Sequence, residues 1–95
     1  MTEEEDFVFN WDGLTRERIQ LQLPLLVIRG SKGWAACAYV DVNTANKTGE
    51  ACVIFSGVAD HNAFLSKKVL RCSRAAEELG VKVGMGGAEA LELIR

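Results

Sequence analysis

Ninety-five residues, 48% of them apolar and 25% charged, are the composition of one ordinary globular domain rather than of a disordered chain. The net charge of −2, from 11 basic and 13 acidic residues, gives no general attraction to a phosphate backbone, so nucleic acid is excluded as the expected partner. The longest apolar runs, such as Leu23 to Ile28, fall far short of the roughly 20 residues a membrane span needs, and the start MTEEEDF is acidic where a leader would be basic; no membrane partner and a cytoplasmic location are expected.

A domain this short buries only about 60% of the surface its unfolded chain exposes, which favours assembly into a homo-oligomer. Cys37, Cys52 and Cys72 are odd in number and lack a C-x-x-C spacing, and the lone His61 cannot complete a zinc motif with them. They read as reduced thiols, and no metal site is expected.

In chain order, residues 1–6 read as a solvated acidic terminus. DFVFNW follows as a first strand closed by the turn signal Asp12-Gly13. From Ile19 the alternation of Ile19, Leu21 and Leu23 with Gln20 and Gln22 predicts a half-buried strand. Pro24, which cannot donate to a ladder, places that strand at an edge or bends it.

LLVIR and WAACAYVDV flank GSKG and predict an antiparallel hairpin. On its second arm Trp34, Ala36, Ala38, Val40 and Val42 share one face, and Ala35, Cys37, Tyr39 and Asp41 share the other. NTANKTG reads as a helical turn capped by Asn43 or Thr44 and ended by Gly49. ACVIFS is apolar at every position but its last, as suits a central strand covered on both faces; if parallel to the previous strand, it needs a right-handed crossover.

Asp60 is placed to cap a turn containing Phe64 and Leu65, and Ser73 to cap RAAEELG, with Gly80 past its end. KKVLRC between them fits either a short strand or the start of that helix. From Gly86 or Gly87, Ala90, Leu91 and Ile94 stand at helical spacing and predict a C-terminal helix. The sum is one α+β domain over residues 1–95: a mixed β-sheet with an antiparallel hairpin, short helices and a helical C-terminus.

KGWAACAYVDV, FSGV and ELGVKVGMGGAEAL, in this order and at these separations, resemble the YunC-like family of small bacterial and archaeal proteins, a domain family of unknown function. The likeness spans residues 23–95 and rests most on Gly33, Cys37, Asp41, Gly57-Val58, Gly80-Val81, Gly84-Met85 and Ala90-Leu91. It implies a compact α+β domain with KVLRC extended, and brings no established activity or cofactor. This chain departs from the family pattern at Ala38, where Cys-Gly is usual, and at Gly86, where Ser or Thr often follows Gly-Met; the second removes a hydroxyl from the last turn.

GVKVGMGGAEAL invites a phosphate-loop reading, but a dinucleotide fingerprint begun at Gly84 needs glycine where Glu89 stands, and one begun at Gly80 meets Lys82. These glycines are assigned to a helix end, a turn and a helix entry. A more promising cluster is formed by Cys37, Tyr39, Asp41 and Asn43 on and beyond one strand face. If ACVIFS runs parallel beside that strand, Ser56, Gly57, Asp60 and His61 leave the sheet at the same end, where open sheets place ligands.

Each residue has a plainer assignment as well: Cys37 a buried thiol, Asp41 a cap, His61 a turn residue, Tyr39 packing with its hydroxyl at a rim. No motif unites nucleophile, base and orienting group. The chain is therefore read as a non-catalytic module for a small-molecule ligand or a protein, working as a homo-oligomer. The alternative is a small enzyme using Cys37 or Asp41 with His61.

Overall fold

In the computed structural model of the protein, residues 9–95 are described. Among these residues five strands lie in sequence order in one mixed sheet: β1 (Thr15–Gln20), β2 (Pro24–Arg29), β3 (Trp34–Cys37), β4 (Cys52–Phe55) and β5 (Arg71–Cys72). Neighbours are antiparallel except β3 and β4, which run parallel with Trp34 opposite Cys52 and Cys37 opposite Phe55. Four short helices accompany them: α1 (Val42–Thr48) in the parallel crossover, α2 (Ala63–Ser66), α3 (Arg74–Glu78) and α4 (Gly87–Ile94).

The two faces of the sheet differ in depth. On the first, Leu26, Ile28, Ala35, Val53 and Phe55 meet Phe64 of α2, Ala76 of α3 and Ala90, Leu91 and Ile94 of α4, forming the main core. On the second, Ala36, Cys52 and Ile54 are covered by Ala45 of α1. All four residues of β4 are buried, as its unbroken apolar run requires of a strand covered on both faces. At Gly87 a side chain would overlap the Phe64 carbonyl, so α4 packs against α2 through bare backbone.

Several expectations need correction. Residues 9–11 are irregular rather than strand, and the rest of that predicted element lies outside the described residues. The Asp12-Gly13 turn does form: Gly13 has a φ of 83° and Leu14 N–H donates to Trp11 O at 2.9 Å. The strand predicted to begin at Ile19 instead ends one residue later, with the chain reversing over residues 21–23. Its alternation does not mark a buried face, since Ile19, Leu21 and Leu23 are all exposed. The strand that holds Ile19, β1, does lie at the edge of the sheet, but Pro24 is not part of it: it opens β2, the first position of a strand being one that proline tolerates.

The hairpin through GSKG forms as predicted, with Arg29 opposite Trp34. Its second arm, however, stops at Cys37, because Cys37 O turns to accept from Val40 N–H at 3.2 Å instead of continuing the strand. Tyr39 and Asp41 therefore leave the strand face they were expected to share with Cys37. The cap of α1 is Asp41, not Asn43 or Thr44, and Gly49 ends the helix at φ 79°. KKVLRC resolves to a bridge at Lys68 and the short β5, extended as the family resemblance implied.

Ser73 ties the two layers together. Its buried hydroxyl donates to Glu50 O at 2.8 Å and accepts from Cys52 N–H at 2.9 Å and Ala76 N–H at 3.3 Å, so one side chain caps α3 and satisfies the backbone where β4 begins. Ser73→Ala would leave buried groups unpaired and is expected to cost about 2–3 kcal/mol, a fall of roughly 10–20 °C in the melting temperature of a domain this size. A loss below about 0.5 kcal/mol in denaturant titration would contradict this role.

Candidate functional site

Because β3 and β4 run parallel, both end at the same edge of the sheet, and the segments that follow them face each other. Cys37, the last residue of β3, is 5% exposed. Its sulfur accepts from Leu26 N–H at 3.5 Å, and its thiol points to Pro24 O at 3.8 Å. Since the Cys37 carbonyl is turned to Val40, the sulfur takes over the strand's contact with β2. Two residues on, the Tyr39 hydroxyl accepts from Leu23 N–H at 3.1 Å, pinning the reversal between β1 and β2.

After β4, exposed Ser56 and then Gly57, in the left-handed region at φ 71°, turn the chain back over this edge. Leu23 and Pro24, the stretch from Cys37 to Tyr39, and the loop from Gly57 to Ala59 line an open pocket of about 470 Å3 whose walls are mostly carbon. A second, more polar pocket of about 420 Å3 runs from Ala38 to Asn43 and is closed by Arg71 of β5. Ala38 and Tyr39 line both.

The predicted site residues are thus divided. Cys37, Tyr39 and Gly57 share the apolar pocket, whereas Asp41 and Asn43 line the polar one with Tyr39. Asp41 Oδ1 accepts from Asn43 N–H at 2.9 Å as the cap of α1, and Oδ2 lies 3.4 Å from Asn43 Nδ2. Asp60 Oδ1 accepts from Ala63 N–H at 2.8 Å, the capping role its position suggested. His61 Nε2 lies 2.8 Å from Glu17 O, which can only accept, so this nitrogen carries the proton. The ring stacks on Phe64 with centroids 6.4 Å apart.

Asp41 opens the helix on the second face, and His61 sits against the core of the first. Proximity in sequence to the same sheet edge does not bring these two together. Leu23, Val58 and Ala59 were missed because isolated apolar residues carry no chemical signal, and Arg71 because its place beside Ile54 depends on the pairing of β5 with β4.

The remaining thiols are poor nucleophiles. Burial, with the nearby Glu50 and Cys72 adding to it, pushes the Cys52 thiol up to about 12, and burial followed by Glu77 raises Cys72. Among the described residues no group of three or more metal-ligating side chains gathers, and no helix is long and apolar enough to cross a membrane.

Fold and site define a small α+β domain with an apolar pocket where two parallel strands end. The chain belongs to a family known as domain of unknown function DUF1805, whose model matches residues 36–94, from the middle of β3 to the last turn of α4. Among solved structures it is similar to TA1206, a protein of unknown function from Thermoplasma acidophilum, at 28% identity over 86% of this chain and 93% of that one, with a TM-score of 0.76. No curated protein matches it.

Two outcomes test the roles assigned to the polar groups. Asp41→Ala removes the cap of α1 and should cost about 1 kcal/mol, whereas Asp41→Asn, itself a good cap, should lose only a few tenths. Folding keeps the Cys52 thiol neutral, so its stabilising effect is complete below pH 9 and erodes as pH rises from 9 towards 12, where the unfolded chain ionises first. The stability gap between the wild type and Cys52→Ala should therefore narrow by about 1.4 kcal/mol per pH unit in that window, as followed by urea titration.

Proposed function

We propose that this chain is a YunC-like, non-catalytic binding module, a single domain over residues 1–95 that works in the cytoplasm as a homo-oligomer and takes a small molecule with an apolar body at the ends of β3 and β4. The observation that carries the reading is the carbon-walled pocket between Cys37 to Tyr39 and Gly57 to Ala59. Its size is that of an ordinary metabolite site. Support for the absence of catalysis comes from the way the reactive groups are employed. Cys37 bonds to the backbone of β2, Asp41 and Asp60 cap helical turns, and His61 holds Glu17 O.

The homo-oligomer is supported by exposed apolar side chains around the same edge: Leu23 is 67% exposed, Ile19 56% and Tyr39 49%. A self-associating chain would melt at a temperature that rises with protein concentration.

Thermal melting against a panel of metabolites with apolar bodies tests the site. A ligand at about 100 times its dissociation constant adds roughly 2.7 kcal/mol, a shift of about 10–20 °C. Ala59→Trp, a substitution at an exposed position that fills the pocket, should abolish that shift while leaving the unliganded melting temperature within a few degrees. A shift that survives Ala59→Trp would place binding elsewhere.

A further inference from the structure

A charge lies beside the Gly57 turn that lines the apolar pocket, although the residue that carries it is not one of the pocket's walls. A methyl group built on Gly57 would stand 3.4 Å from Lys67 Nζ and 3.8 Å from Lys67 Cε, so the end of the lysine side chain lies across the Gly57 turn. Lys67 is exposed, and among the described residues it forms no ion pair. No acidic residue lines the pocket, and the carboxylate next along the loop, Asp60, is engaged by Ala63 N–H. The amides of Gly57, Val58 and Ala59 are likewise taken up by no backbone carbonyl among the described residues.

We propose that the pocket between β3 and β4 binds an organic carboxylate, its apolar body inside and its carboxylate at the Gly57 turn against Lys67 Nζ. The inference rests on the reading of that pocket as a binding site and adds the charge of its occupant. Carbon walls reward an apolar body and offer nothing to a polar one. At the Gly57 turn, an ammonium without an ion-pair partner and amides without a backbone acceptor among the described residues reward a negative group with charge-assisted hydrogen bonds. One ammonium matches the single charge of a carboxylate better than the higher charge of a phosphate monoester. A free metabolite and a peptide with an apolar last residue both present this carboxylate chemistry.

The test is an amide NMR titration of the full chain with three matched pairs, butanoate and butanol, hexanoate and hexanol, 3-phenylpropanoate and 3-phenylpropanol, together with N-acetylglycylleucine and its amide. The expected result is shifts at Cys37, Gly57 and Ala59, with at least one carboxylate binding about 5- to 10-fold more tightly than its neutral partner. Lys67→Gln should erase that preference and leave the neutral partner's affinity unchanged; Lys67→Arg should keep most of it. Tighter binding of the dipeptide than of the free acids assigns the site to a chain end, and the reverse to a metabolite. Equal binding of acids and neutral partners at these residues overturns the carboxylate and leaves the pocket standing. No shift at Cys37, Gly57 or Ala59 with any probe overturns both.

Discussion

Two strands that run the same way leave a sheet at the same edge, and β3 and β4 do so with Cys37 beside Phe55. This pairing demands a crossover rather than a hairpin. The chain supplies it with α1, capped by Asp41 and closed by Gly49, and that helix covers the second face through Ala45. β4 lies inside the sheet, between β3 and β5, and is buried on both faces, and the remaining helices collect on the first face around Phe55 and Phe64, whose rings meet edge to face at 5.1 Å. The pocket follows from this geometry: Ala38 and Tyr39 turn one way, Gly57 to Ala59 turn back over the edge, and the space between them is left unfilled.

The polar groups nearby hold this arrangement together. An early end to β3 would strand Leu26 N–H, and the Cys37 sulfur meets it. A reversal before Pro24 would hang free, and the Tyr39 hydroxyl holds Leu23 N–H. His61 reaches Glu17 O on β1, tying the first hairpin to the turn before α2. Each bond is modest alone, but together they explain how a loop-rich edge keeps its form. They also explain why a residue list that suggests chemistry can describe scaffolding: a thiol, a phenol, an imidazole and two carboxylates are good at satisfying backbone groups as well as at catalysis.

Legibility in the sequence followed the range of the interaction. Asp60, Ser73, Gly49 and the GSKG tip were readable because caps and tight turns are settled within a few residues. The apolar run of β4 announced a strand covered on both faces. The reversal at residues 21–23 was not readable, since Gln20-Leu21-Gln22-Leu23 alternates as a strand does and only the register of Gln20 against Pro24 ends it. Of the candidate site, the strand-end argument reached three residues that line the apolar pocket, Cys37, Tyr39 and Gly57. It failed to separate Asp41 from His61, which depends on the face that each following helix takes.

The first hairpin constrains how copies of this chain could meet in the proposed oligomer. All six residues of β1 are exposed, and its outer edge is that of the sheet, the kind of edge that invites pairing. Yet antiparallel β1 strands related by a two-fold axis oppose residues of the same face. Centred on Glu17, they set Glu17 against its copy and Arg16 against Arg18; centred on Arg16 or Arg18, they set arginine against arginine. Like charges directly opposite destabilise a sheet, so the charged run Arg16-Glu17-Arg18 works against edge-to-edge growth. Association through this region must use apolar side chains instead, and Ile19, Leu21, Leu23 and Tyr39 provide them beside the pocket mouth. An oligomer formed there would cover part of the rim, so that ligand binding and assembly would depend on each other through Leu23 and Tyr39.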